Sequence, residues 1–372
     1  MDMSQSKKLS LTLLIVIALP VCAFSAPSIS SISGKISHGE NLVIKGSSFS
    51  TKPAAAPVVW DDCSGTDPYA KWDGNYNSGS GASYAGNYRT PAQVGRGVAT
   101  AHARATKYFC GAHYPGTTAQ NGRNVGVWKV RQITSMPSYT YLSYYHRADP
   151  GWNWNIDSTD DNYKEYCWGE SNWPYTGKYW YNELYYRSSY HLLGTPISGN
   201  SFYGDPHWSV TSKWAKVEME VRWDSTSSGY VKVWEDGVLR LNYSGPTNSG
   251  TGMRTELIGG YVRDSGATSQ WRYWNDIYLD YSRARVLIGN ASTYNASKIR
   301  EVQIPTTWAD GTITIKVNQG AFSNGQAAYL YIVDTNGNVN SNGFPLTFGQ
   351  GQIIGSDTTP PATPSGLNVK VQ

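Results

Sequence analysis

The stretch WAKVEMEVRWDSTSSGYVKVWEDGVLRLNYSG, residues Trp214 to Gly245, decides the class of the fold. In its first part Val217, Met219, Val221 and Trp223 alternate with Lys216, Glu218, Glu220 and Arg222. That period of two predicts an antiparallel strand with one buried face and one wet face. Two more alternating runs then flank Asp236-Gly237, a dipeptide suited to the positive φ angles of a tight hairpin turn. Leu239, Leu241 and Tyr243 fall on one face of the second run, and the hairpin reads as scaffold. Outward from it, no segment sustains a helical period, and short β runs are divided by Asp310-Gly311, Asn324-Gly325 and Asn336-Gly337. The class expected is all-β.

The 372 residues suffice for two or three domains of about 100–200 residues each. Only 16% are charged, the formal net charge is +4, and Lys and Arg are scattered, with no basic run beyond Lys7-Lys8. This pattern argues against a nucleic-acid partner. Residues 1–25 read as a signal peptide: Lys7 and Lys8 precede the apolar run LTLLIVIALPV, and small residues surround AFSA. A secreted, extracellular location is expected. Cys63, Cys110 and Cys167 follow the signal, so an exported chain would hold one disulfide and one free thiol, with the pairing open. That thiol, or the C-terminal strand, would serve self-association.

After the signal comes PSISSISGKISHGENLVIKGSSFSTK. With Pro27, Ile29, Ile32, Gly39, Ile44, Gly46 and Phe49 it resembles the opening of an IPT/TIG domain, an immunoglobulin-like module. About thirty residues cannot make a sandwich that takes about 100. The remaining strands are expected between Ala284 and Gly349, giving one domain built from residues 26–60 and 284–350 with residues 61–283 inserted; two separate small domains are the alternative. The strand at 214–224, the hairpin, and the closing run YWNDIYLDYSRA (273–284) together resemble the concanavalin A-like lectin/glucanase superfamily, which includes laminin-G-like modules. The resemblance implies a jelly-roll β-sandwich inserted in or flanked by an immunoglobulin-like sandwich. Residues 351–372 resemble a Pro/Thr linker and the first strand of a fibronectin type III domain.

The chain has 15 Trp and 28 Tyr but 7 Phe, and residues 141–190 hold 16 aromatics, all Tyr or Trp. Tyr and Trp suit places where one side packs and the other meets water or a ligand, and flat sugar faces are such ligands. Alternation in NYKEYCW puts Lys164, Tyr166 and Trp168 on one face, taken as the exposed concave sheet, with Trp152 and Trp154 on a flanking loop. These five are the candidate carbohydrate-binding residues, the partner being a polysaccharide or cell-surface glycan. The function expected is non-catalytic polysaccharide binding. The alternatives are a polysaccharide lyase or glycoside hydrolase of the same fold and a structural or adhesive surface protein. A lyase would draw on His146, Tyr166 and Arg254, the last in an RTEL run like that of one alginate-lyase family. No catalytic residue is otherwise assigned. A structural Ca²⁺ would be held by Asp157, Asp160, Asp161 or Asp276.

Overall fold

The computed structural model describes residues 25–78, 86–113, 124–150, 162–170, 179–185, 189–194, 202–206, 213–250, 252–263 and 270–355. The chain begins with β1 (Ser28–Lys35) and β2 (Asn41–Ser47). It continues through β3 (Val59–Asp61), β4 (Gly74–Ser78), β5 (Asn87–Arg89), the short helix α1 (Pro91–Val94), β6 (Tyr108–His113), β7 (Asn124–Gln132), β8 (Tyr139–Ala148) and β9 (Asn162–Gly169). Next come β10 (Tyr179–Tyr185), β11 (Ser189–Gly194), β12 (Phe202–Pro206), β13 (Ala215–Arg222), β14 (Tyr230–Glu235), β15 (Val238–Ser244), β16 (Thr255–Arg263) and β17 (Gln270–Asp280). The last part holds β18 (Arg285–Gly289), β19 (Arg300–Val302), β20 (Ile304–Ala309), β21 (Thr312–Lys316), β22 (Ala327–Val333), β23 (Phe344–Thr347) and β24 (Gly351–Gly355). The all-β expectation holds, and the antiparallel strands form two sandwiches, one larger and one smaller.

The smaller sandwich faces a sheet ordered β20-β21-β2-β1-β24 against one ordered β19-β18-β22-β23. Its core joins Ile32, Leu42, Ile44 and Phe49 with Val286, Ile288, Ile313, Ile315, Leu330 and Ile332. The first four residues come from before position 60 and the rest from beyond 284, so neither segment encloses this core alone. β2 pairs with β21, and β1 with β24. The stretch from Gly351, read as linker, therefore opens with an edge strand.

The larger sandwich faces a seven-stranded sheet, β12-β11-β10-β9-β16-β7-β4, against an eight-stranded one, β15-β14-β13-β8-β17-β6-β5, with β3 alongside β17. Between them pack Phe109, Val127, Leu142, Tyr144, Tyr166, Trp168, Val217, Met219, Val221, Val231, Val233, Ile258 and Trp274. Pairing of Val59 with Leu279 and Asp61 with Ile277 brings together the two ends of the segment 61–283.

Two expectations are corrected here. The outer face of β13 is dry over its first half, with Glu220 half-buried and Arg222 exposed. Lys216 and Glu218 are 3% and 2% exposed because the β19-β18-β22-β23 sheet lies over them. Arg300 pairs with Glu218 at 2.6 Å, Arg285 with Glu220 at 2.7 Å, and Lys216 with Glu301 at 3.4 Å. The cysteines form no disulfide. Cys63 belongs to the inter-sheet core, Cys110 to a cluster with Val98, Tyr108 and Tyr273, and Cys167 to one with Trp128, Val130 and Leu257. Each of the three thiols is buried in a different cluster.

The tyrosine excess also has a different destination from the one expected. Among the described residues eight tyrosines donate their hydroxyls to carboxylates: Tyr88 to Asp61, Tyr141 to Glu218, Tyr144 to Glu165, Tyr145 to Glu301, Tyr166 and Tyr281 to Glu256, Tyr273 to Asp149, and Tyr278 to Asp280. A buried carboxylate is tolerated only with donors around it, and a phenol supplies one without interrupting an aromatic core. Phe could fill the volume but not meet that need.

Candidate functional site

The residues singled out from sequence do not converge on one surface. Tyr166 and Trp168 are 0% and 1% exposed, inside the inter-sheet core. Tyr166 donates to Glu256, and the Trp168 indole donates to the carbonyl of Thr247. Their expected place on an open concave face is therefore corrected. The register shift in β9, where Asn182 faces Tyr166 and Glu183 faces Lys164, breaks the strict alternation on which that reading relied. Glu165 thus reaches the same interior as Tyr166. Lys164 is half-buried, and its carbonyl accepts from Arg272. Trp152, Trp154, Asp157, Asp160 and Asp161 lie outside the described residues.

The lyase trio is likewise dispersed. His146 is fully buried, stacked on Trp274 with its Nδ1 2.8 Å from Glu165 Oε1, and its Nε2 accepts from Arg272. Burial holds this imidazole below its ordinary pKa. Arg272, which the sequence reading passed over, also pairs with Glu165 at 2.9 Å and completes a closed interior network. Arg254 instead bonds the carbonyl of Thr134 at the protein's edge. No water-borne substrate can reach His146 or Tyr166 in this packing. The Asp276 carboxylate lies 3.0 Å from His102 Nε2. Among the described residues no group of three or more His, Cys, Asp or Glu could hold a metal.

A different site does assemble, at the seam between the two sandwiches. Strand β14 alternates as the hairpin pattern requires: Val231 and Val233 enter the core, and Tyr230, Lys232 and Trp234 point outward, half-buried. The opposite wall comes from the smaller sandwich: Arg283, Arg285, Tyr294, Val333, Asn336, Gly337 and Val339. Together with Glu220 they enclose a cleft of ≈ 300 Å³.

Each wall is fixed by named contacts. Arg283 donates to the Tyr230 hydroxyl at 2.5 Å and to the carbonyl of Asn336 at 2.7 Å. Arg285 is tied to Glu220 at 2.7 Å and lies 4.1 Å from the Tyr141 ring. Arg300 sits 4.8 Å from the ring of Tyr294 and orients it. The Asp236-Gly237 turn, with φ of 47° and 69°, abuts the backbone of Ser297 and Lys298 and holds β14 against that wall.

The cleft is cationic. Glu220 is matched by Arg285, whereas Arg283 meets only neutral oxygens, and Lys232 lies 5.2 Å from the Tyr230 ring with no carboxylate partner among the described residues. Burial, with Glu220 nearby, holds the Tyr230 phenol above its ordinary pKa, so it remains a neutral donor. The half-exposed Trp234 indole makes no hydrogen bond or ring contact among the described residues. An aromatic face, a second phenol ring and two unmatched positive charges suit a flat, hydroxylated, anionic ligand. The sequence did carry part of this signal, in two outward aromatics flanking a lysine. Arg283 and Tyr294, about fifty residues downstream, carried none.

No protein-family model and no curated protein matches the chain. Solved structures to which it is similar include an endo-β-1,4-glucuronan lyase from the fungus Trichoderma reesei, at 12% identity and a TM-score of 0.40, covering 58% of this chain and 93% of the other. An alginate lyase is similar at 9% identity and a TM-score of 0.31, over 55% of this chain and 95% of its own. The receptor-binding domain of botulinum neurotoxin type G follows at 10% and 0.32, over 83% and 72%.

Proposed function

We propose that this chain is an exported carbohydrate-binding protein that takes an acidic polysaccharide in the seam cleft. The reading treats residues 1–25 as its export signal. It treats residues 61–283 as a concanavalin A-like jelly roll set into an IPT/TIG-like frame of residues 26–60 and 284–350. The observation that carries it is the outward row Tyr230, Lys232 and Trp234 facing Arg283 and Tyr294 across the cleft. Trp234 and Tyr294 would stack on sugar faces. Lys232 and Arg283 would meet carboxylate or sulfate groups, and Asn336 would meet hydroxyls.

The test is electrophoresis of the full chain through native gels containing polyuronate, sulfated or neutral polysaccharide, with parallel assay for new unsaturated or reducing ends. Retardation by the anionic polymers without product is expected. Trp234→Ala should weaken it by about tenfold or more, the loss typical of a buried aromatic anchor. Lys232→Gln should weaken it for anionic polymers only. New unsaturated or reducing ends would overturn the binding reading in favour of a lyase or hydrolase. Unretarded migration in every gel would overturn it in favour of a structural or adhesive role.

A further inference from the structure

Lys129 and Asp61 meet where nothing in the proposed cleft requires a charge. Lys129 stands on β7 of the seven-stranded sheet and Asp61 ends β3 of the opposite sheet. Both side chains are 0% exposed, and Nζ lies 2.9 Å from Asp61 Oδ2. The other oxygen, Oδ1, accepts from the Tyr88 hydroxyl at 2.5 Å and from the backbone N–H of Cys63 at 3.1 Å. The Trp72 indole donates to Oδ2 at 2.8 Å. Phe109, Tyr88, Tyr69 and Trp72 surround Nζ, their ring centroids 4.1, 4.7, 5.5 and 5.6 Å away, and the carbonyl of Pro68 accepts from it.

We propose that this pair is a self-modification site, at which Lys129 and Asp61 condense into an amide that joins the two sheets covalently. The carboxylate is arranged asymmetrically, as such a reaction needs. Two donors converge on Oδ1, the oxygen that gathers charge when Nζ attacks Cγ, in the manner of an oxyanion hole. The Cγ–Oδ2 bond then breaks. Oδ2 takes two protons from the amine nitrogen and leaves as water, with Trp72 donating to it as it departs. The ion pair, –NH₃⁺ and –COO⁻, becomes –NH–CO– and one water, so atoms and charge balance with no oxidant, metal or co-reactant. Burial lowers the Lys129 pKa; it would raise that of Asp61, but Lys129, Tyr88 and Trp72 hold the carboxyl below its ordinary value. The first step is therefore passage of one proton from Nζ to Oδ2 across their 2.9 Å contact, which makes the amine nucleophilic and the carboxyl electrophilic together. The reaction also removes two charges that are costly to keep in an apolar interior. The packed core holds the reacting groups in contact at a high effective concentration. In a fold whose described cysteines form no disulfide, this bond would supply the covalent tie.

The experiment is a reduced tryptic map of the full chain by mass spectrometry. Trypsin does not cut between Lys52 and Pro53, so the expected product joins residues 46–71 to residues 124–131. Lys129 would be uncut, and the mass lower by one water than the sum of the two. Asp61→Ala should abolish the branched peptide. Tyr88→Phe keeps the ring but removes an Oδ1 donor, and should slow its appearance after synthesis by about a hundredfold. Cleavage after Lys129 in the wild-type chain, with the two peptides recovered separately, would overturn the proposal without recourse to any variant.

Discussion

Glu256 shows what single residues do in this protein. Its carboxyl accepts from Thr140, Tyr166 and Tyr281, and burial raises its pKa. The count of tyrosines was legible in the sequence, but which carboxylate each would meet was not, because all of those partners except Asp280 beside Tyr278 lie 21 to 156 positions away. The same distance hid His102, whose Nε2 lies 3.0 Å from Asp276. Burial pulls its pKa down, but the hydrogen bond and charge of Asp276, helped by Glu301, leave it raised above 6.5. A raised histidine pKa means that the folded state holds the proton more tightly than the unfolded chain. Its contribution to stability is full below pH 6.5 and is lost as pH rises through the folded value. Thermal unfolding followed by circular dichroism should therefore show a melting temperature that falls as pH increases from 6.5. His102→Asn should remove that part of the dependence.

Among elements, the β14–β15 hairpin was the most legible and also the most misread. The turn at Asp236-Gly237 and the inward valines follow directly from the pattern. The pairing then slips, so that Val233 faces Leu241 while Trp234 faces Leu239. That irregularity sends Leu239 outward, 38% exposed, although it was expected to share a face with Leu241 and Tyr243. One extra residue reverses every side chain beyond it, and alternation alone cannot announce it. The slip in β9 likewise separates Lys164 from the face of Tyr166 and Trp168, and that face was misread because both sides of β9 are buried. Gly237 tests how firmly the turn is seated. Its φ is +69°, and a Cβ there would lie 2.6 Å from the carbonyl oxygen of Ser297. Gly237→Ala should cost about 1–3 kcal/mol from backbone strain alone, read as a lower urea midpoint, and should also weaken polysaccharide retention by shifting Trp234.

At the scale of the molecule, the segments before residue 60 and after 284 already read as short β runs suited to an immunoglobulin-like unit. Their contact with the larger sandwich was not legible, because the charged face of β13 looks solvated until another sheet covers it. The ion pair of Glu218 and Arg300 anchors that contact. Burial pushes Glu218 up, yet Arg300, Arg285 and Tyr141 outweigh it and hold its pKa below the ordinary value. Arg300→Met should cost about 3–5 kcal/mol by leaving a buried carboxylate unmatched. Adding Glu218→Gln should recover much of that loss in a denaturant titration, whereas two independent contributions would simply sum. The topology also has a mechanical meaning. Ser31 pairs with Gly355 and Lys35 with Gly351, so tension drawn through Ser28 and Gly355 enters at one end of the β1–β24 pair and opens it rung by rung. Until the β1–β24 and β2–β21 ladders have parted, they short-circuit the load around residues 61–283. The smaller sandwich would act as a mechanical fuse, yielding first and taking one wall of the cleft with it while the larger sandwich stays slack.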